Sequence, residues 1–262
     1  MSAPTVEGFA RVRALFRYPV KSMRGEALDE LVLDASGVRG DRAYGVLDVG
    51  SGTVLSAKRE GRLLEASARL EDEELVVTLP DGREYDPGPA LDESLARWLV
   101  RPVRLVEAAH FGAAVFQGIE DFERDDSPLS SWEGVESSFV DESPLHVLST
   151  GDLRRLEQER PDLSWDVPRF RPNVVLEADV ESARAWSGGS RLVVGDVEFE
   201  ISKGCTRCVM TTRAQPENLS RQLDVLRHVT AQHDRQVGVR ARVVRTGRLR
   251  VNDVATAHVR AR

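Results

Sequence analysis

Cysteine is nearly missing from this 262-residue chain, which carries only Cys205 and Cys208. Two thiols cannot build a disulfide scaffold. Lysine is almost as scarce: Lys21, Lys58 and Lys203 are the only three among 36 basic residues. The bias fits a GC-rich genome, and it singles out three positions where a compact point charge was kept instead of a planar guanidinium. Positive charge is not in excess either, since 36 basic against 43 acidic residues leave −7. That excludes a nucleic-acid protein working through a broad basic surface. No apolar run approaches the roughly 18 residues of a membrane span. Arg11, Arg13 and Arg17 fall where a secretory signal would be apolar. The expectation is a cytoplasmic, soluble protein with no membrane and no nucleic-acid partner. With 41% hydrophobic residues the chain can fill one large domain or two modest ones.

What is present is mostly strand. Alternation predicts strands over residues 9–18, 28–33, 42–47, 53–55 and 74–79, with turns at Gly37 and Gly40, at Gly50-Ser51-Gly52 and at Pro80-Asp81-Gly82. A short helix begins near Asp92, with Leu95, Trp98 and Leu99 on one face. Residues 111–139 lose all periodicity, and the run 121–128 is acidic and polar. They read as a long loop, mobile unless something binds it, and as the seam between two regions, 1–115 and 116–262. Strands then follow at 145–148, 173–176, 191–194, 197–201, 237–244 and 249–251. A helix starts at Ser149 or Thr150, and a second covers 219–229. Gly195-Asp196 marks a tight hairpin. The sum is mainly β with some α, a twisted sheet or a barrel closed on itself.

The thiols of Gly204-Cys205-Thr206-Arg207-Cys208 admit three readings. A dithiol switch wants a helix start after the pair, and the β-branched Val209-Met210-Thr211-Thr212 is a poor one. A zinc site would add His228 and His233 as Cys-x2-Cys-x19-His-x4-His, a gap wider than the usual spacing of about 12–15. The third reading is a single thiolate on a soft metal, its ionisation favoured by Arg207. A lone thiolate would need the metal to arrive inside a chelating cofactor, held by anion-binding groups elsewhere. Lys21-Ser22, Gly40-Asp41-Arg42 and Phe170-Arg171-Pro172-Asn173 offer residues suited to a phosphate and a polar heterocycle. The five histidines form no evident triad with Ser or Cys. Each of them, like Trp165 and Trp186, reads as a surface or packing residue.

Taken in order, Tyr18-Pro19-Val20-Lys21-Ser22, Gly40-Asp41-Arg42, Ser56-Ala57-Lys58, Phe170-Arg171-Pro172-Asn173 and Cys205-Thr206-Arg207-Cys208-Val209-Met210-Thr211-Thr212 resemble the MOSC family. The likeness spans nearly the whole chain and is closest to the amidoxime-reducing components and their bacterial counterparts. It implies a β-barrel MOSC domain packed with an N-terminal β-barrel-like region. It also implies a molybdenum cofactor (molybdopterin) with Cys208 as the metal ligand and catalytic centre. Lys21, Ser22, Arg42, Ser143, Arg171, Asn173 and Arg207 are the implied pterin contacts; Cys205 receives no ligand role. The implied activity is reduction of a small N-hydroxylated substrate with electrons from a separate electron-donor protein, since no flavin, haem or iron–sulfur motif is visible. The alternative is a cofactor or sulfur carrier using a cysteine persulfide. A pyridoxal phosphate enzyme finds no pyridinium partner. Two departures stand out: Arg213-Ala214-Gln215-Pro216 replaces the Asp-Pro segment common after the CxxTT motif, and no further cysteines follow for an iron–sulfur domain.

Overall fold

A computed structural model describes residues 6–124, 127–134 and 136–258. The chain runs through β1 (Val6–Arg17), β2 (Glu26–Leu28), β3 (Glu30–Asp34), β4 (Gly37–Val38) and β5 (Tyr44–Asp48). Next come β6 (Ser67–Glu71), β7 (Glu74–Thr78), β8 (Glu84–Tyr85), α1 (Pro89–Leu99) and β9 (Val103–Glu107). There follow β10 (Val115–Ile119), β11 (Leu129–Glu133), β12 (Leu145–Ser149), α2 (Thr150–Glu159), α3 (Val167–Phe170), β13 (Val174–Glu177) and α4 (Val180–Ala185). The last elements are β14 (Arg191–Val194), β15 (Val197–Thr206), α5 (Leu223–Gln232), β16 (Gln236–Arg245), β17 (Gly247–Arg250) and β18 (Val254–His258).

Seven strands close into a barrel in the order β1-β13-β12-β16-β15-β14-β18 and back to β1, with β2 added on β1. Alternation along each strand buries one face. Val12, Leu15, Val147, Leu176, Phe199 and Ile201 fill the interior at 2% exposure or less. β12 and β13 run parallel, so the chain must cross over, and α2 and α3 lie on that crossover. Ser149 caps α2 by accepting the Asp152 N–H at 2.9 Å. The first strand therefore belongs to a barrel made otherwise of late strands, and β17 returns to pair with β3. The two ends of the chain are interlocked. A second core gathers Val20, Met23, Leu63, Leu64, Val77, Leu91 and Leu95 beneath α1 and the β6-β7-β8 sheet.

Residues 111–139 depart from the sequence expectation of a mobile loop. β10 and β11 form a hairpin within them, pairing Phe116 with Trp132, and the proposed seam at 115/116 falls at the first residues of β10. Phe116 and Phe139 are fully buried and meet edge to face at 6.4 Å. Few apolar residues, widely spaced, were enough to anchor the segment because each is a large ring. Asp125 and Asp126 of its acidic run lie outside the described residues, as does the start of the N-terminal stretch. Two smaller corrections follow from local geometry. Residues 28–33 are broken at Asp29 into β2 and β3. The second helix starts at Leu223, four residues later than expected. Residues 209–212 form a single 3-10 turn, where Thr211 and Thr212 return their hydroxyls to the Cys208 and Val209 carbonyls at 2.9 and 2.8 Å. Trp165 and Trp186 pack into cores, as expected.

Candidate functional site

Strand register brings the chemistry to one end of the barrel. Leu15 pairs with Val174, His146 with Arg240, and Thr206 with Gln236. The end of β1, the starts of β12, β13 and β16 and the end of β15 therefore converge. A solvent-open cleft lies there. Every residue expected as a pterin contact (Lys21, Ser22, Arg42, Ser143, Arg171, Asn173 and Arg207) lines it, together with Cys208. Among the described residues, six cationic side chains border this cleft, Lys21, Arg42, Arg169, Arg171, Arg207 and Arg240, against a single acid, Asp141.

Unusual backbone aims several of these groups. Ser22, Arg42 and Arg171 all adopt positive φ, at 69°, 50° and 53°. Such non-glycine conformations are costly and concentrate at functional sites. β15 carries a register shift between Gly204 and Thr206, a bulge at Cys205 that turns the cysteine segment out of the ladder. Arg42 and Arg171 both lie over the Tyr18 ring, at 4.5 and 4.2 Å. Burial raises the Tyr18 phenol to about 12 despite these cations. Asn173 accepts from Arg42 Nη1 at 3.4 Å and from the His146 N–H at 3.3 Å, so it fixes the arginine and the β12 edge together. Ser143 donates to the Ala241 carbonyl at 2.8 Å, and Ser22 accepts the Ala57 N–H at 2.9 Å.

Lys21 is 5% exposed and donates to the Phe139 carbonyl at 2.8 Å and to Asp141 Oδ1 at 2.6 Å. Burial lowers its ammonium to about 8; Asp141 opposes that shift and Lys58 adds to it. Asp141 also binds Lys58 Nζ at 2.9 Å. Desolvation would raise this carboxyl, yet the two ammoniums hold it well below the carboxylate range. Its neighbour Glu142 pairs with Lys203 and, at 3.0 Å, with Arg240. Burial also lowers Arg171 to about 10, which leaves it cationic at neutral pH.

The two thiols differ. Cys205 is 5% exposed and accepts from Arg207 Nη1 at 2.9 Å. Burial alone would raise its pKa, but Arg207 first, then His146 and Arg240, bring it down to about 5. Cys208 is half-buried and starts the 3-10 turn that holds its carbonyl. Both thiols line the cleft, and Cys208 is the more exposed of the two.

Sequence reasoning missed four residues here. Asp141 lies just ahead of the strand expected at 145–148 and belongs to none of the motifs. His146, read as packing, instead faces Arg207 Nη1 through Nε2 at 3.3 Å and the Arg171 carbonyl through Nδ1 at 3.4 Å. Arg240 gave no signal within its strand. Arg169, 1% exposed, donates to the Thr211, Arg213 and Ser220 carbonyls and anchors the turn behind Cys208. Nor do the cysteines and histidines form one site: His228 and His233 converge on Glu159.

The cleft suits an anionic, polar group. Arg171 Nη2, Arg207 Nε and Arg240 Nε are buried without a hydrogen-bond partner, and such donors call for acceptors. Two cysteine side chains, Cys205 and Cys208, lie amid these cations, a donor set that suits a soft metal delivered within a chelate.

Residues 135–256 match the MOSC domain, and residues 9–97 match the MOSC N-terminal beta barrel domain. Mitochondrial amidoxime-reducing component 1 of Homo sapiens is 27% identical over 77% of this chain and 65% of its own length. Mitochondrial amidoxime reducing component 2 of Bos taurus is 25% identical over 77% of the chain and 66% of its length. Molybdenum cofactor sulfurase of Drosophila persimilis is 26% identical over 78% of the chain but 29% of its length. The matched region thus spans about two thirds of the amidoxime-reducing relatives. Among the described residues, no helix is long and apolar enough to cross a membrane.

Proposed function

From a chain that belongs to the MOSC family, with a MOSC N-terminal beta barrel domain and a MOSC domain, we propose a molybdenum cofactor-dependent reductase of N-hydroxylated compounds that takes electrons from a separate donor protein. The observation that carries this reading is the cleft itself: six cations to one acid around a half-buried thiol, in a chain of net charge −7. The bound group would supply two-electron redox chemistry at a metal ligated by Cys208.

The chain's own residues do the holding. Lys21, Arg42 and Arg171 offset phosphate charge, and Arg171 Nη2 has a donor to spare. Asn173 has its amide committed to Arg42, the His146 N–H and the Phe16 carbonyl, so it acts by holding Arg42 in place. Ser22 keeps its hydroxyl proton for an acceptor, since its oxygen receives the Ala57 N–H. Ser143, whose proton goes to Ala241, offers lone pairs instead. Arg207 shares one nitrogen with Cys205 and His146 and donates another to the Phe170 carbonyl at 2.6 Å, which ties the two cleft walls together.

The test is molybdenum content by mass spectrometry on protein from cells that make the cofactor, with Cys208→Ala alongside, followed by amidoxime reduction using a reduced dye as donor. Near-stoichiometric molybdenum that disappears in the variant, with turnover only in the unaltered protein, is the expected result. Loaded protein that passes its pterin to an acceptor yet reduces no N-hydroxylated compound would favour the carrier reading, which rests on the likeness to the sulfurases.

A further inference from the structure

We propose that Glu159, His228 and His233 form a binding site for a borderline divalent transition ion, best matched by Zn2+. This site is separate from the cleft and does not depend on the reading given to it. Glu159 closes α2, His228 lies on α5, and His233 sits just past the end of α5. On a continuing helix, residues five apart would point about 140° away from each other. α5 stops at Gln232 and His233 takes φ −135°, ψ 27°, which lets both rings reach one point. Both Nε2 atoms lie on the same carboxylate oxygen, Glu159 Oε2, at 2.8 and 2.6 Å. The three ligand atoms fall within 4.8 Å of one another.

Two imidazoles and one carboxylate with an open fourth position are a donor set that zinc accepts, whereas Mg2+ and Ca2+ prefer oxygen alone. Tetrahedral bonds of about 2.0–2.1 Å place ligand atoms about 3.3 Å apart, so the carboxylate oxygen must draw back from the two nitrogens by about 0.5–0.7 Å. Glu159 can supply that movement, because its side chain is 34% exposed. The rings are held better, at 11% and 10% exposure. Trp165 packs 5.7 Å from His228 and is itself fixed by donating to the Arg160 carbonyl at 2.9 Å. An ion there would clasp the ends of α2 and α5 over the cluster containing Leu156, Phe170, Val225 and Val229. Phe170 adjoins Arg171, so the clasp would stiffen the wall behind the cleft.

The experiment is calorimetric titration of tag-free, full-length protein with Zn2+, beside Glu159→Gln, His233→Gln and a Cys205→Ser/Cys208→Ser double variant. Second-shell losses already weaken metal sites by about 10–100-fold. Losing a ligand should therefore weaken binding at least about 100-fold in Glu159→Gln and His233→Gln. The cysteine variant should keep one equivalent. Zn2+ should raise the Tm of the unaltered protein and leave that of His233→Gln unchanged. Co2+ in the unaltered protein should give visible ligand-field bands without a sulfur charge-transfer band, a readout that needs no variant to fold. No uptake, retained affinity in both Glu159→Gln and His233→Gln, or a thiolate charge-transfer band would each overturn the proposal.

Discussion

Asp141→Asn should lower the pKa of Lys21 by about one to one and a half units, and three lysines make that directly measurable. Lys21 Nζ sits 2.6 Å from Asp141 Oδ1, with 6% of the lysine side chain and 33% of the aspartate side chain exposed. A hydrogen bond to a charged group contributes about 1.5–3 kcal/mol. Because a third of the carboxylate meets water, screening argues for the lower end, about 1.5–2 kcal/mol. At about 1.4 kcal/mol per unit, the loss moves Lys21 from about 8 to roughly 6.5–7. Lys58, 2.9 Å from the other carboxylate oxygen, then repels Lys21 without a counter-charge and pushes the same way. At pH 7.5 the lysine would go from roughly three-quarters charged to mostly neutral. Lysine labelled with 13C at the ε position gives three resonances, assigned by Lys58→Arg and Lys203→Arg. One should titrate near 8 in the unaltered protein and lower in the variant. A Lys21 resonance titrating above 10, or one that moves upward in Asp141→Asn, would refute the reasoning.

Three further outcomes are expected. In a Cys208→Ser background, thiolate absorbance should show Cys205 ionising near 5, and Arg207→Gln should move that midpoint up by at least about one unit. The folded pKa lies below the unfolded value of about 8.5, so this group's stabilising contribution grows as pH rises from about 5 to about 8.5 and is lost below that window. Arg169→Met removes the donor from the Thr211, Arg213 and Ser220 carbonyls. It should cost about 3 kcal/mol, a Tm drop of roughly 6–12 °C by calorimetry, and an unchanged Tm would show that water or backbone shifts replace it. Phe139→Ala empties a fully buried ring site between Phe111 and Phe116 at a cost of about 3–5 kcal/mol. Limited proteolysis should then cut within 111–139 in the variant while sparing the unaltered chain, and equal cutting in both would restore the mobile-loop reading.

The strands were readable because each barrel strand buries one face, and alternation reports that directly. β14 and the hairpin turn at Gly195-Asp196 follow from this pattern without adjustment. The 111–139 hairpin was not readable, because its order rests on Phe116 and Phe139 reaching a core assembled from Leu47, Val54 and Val106, well upstream. The cysteine segment showed a related limit. β-branched residues argued against a helix after Cys208, but two threonine hydroxyls turning back onto carbonyls, with Arg169 beneath them, make one turn there. Those stabilising partners lie outside any local window, so propensity rightly argued against a helix but could not show the turn.

The lysines show how far composition can reach and where it stops. Scarcity marked Lys21, Lys58 and Lys203 as positions where arginine had been avoided, without naming a partner. In the fold all three meet one dipeptide: Lys21 and Lys58 share the two oxygens of Asp141, and Lys203 meets Glu142. Lys21 and Lys58 also lie over aromatic rings, Phe116 at 3.8 Å and Trp132 at 4.1 Å. A compact ammonium can place one point charge against a shared carboxylate and a ring at once, where a forked, planar guanidinium would claim both oxygens for itself. That geometry favours lysine over arginine at positions 21 and 58. It also makes Asp141 the hinge of the cleft's charge balance: the one acid on its wall is the group that keeps a buried lysine cationic beside the arginines. Its partners stand far from it in sequence, and closing the β10–β11 hairpin under Phe139 is what delivers the carboxylate to them.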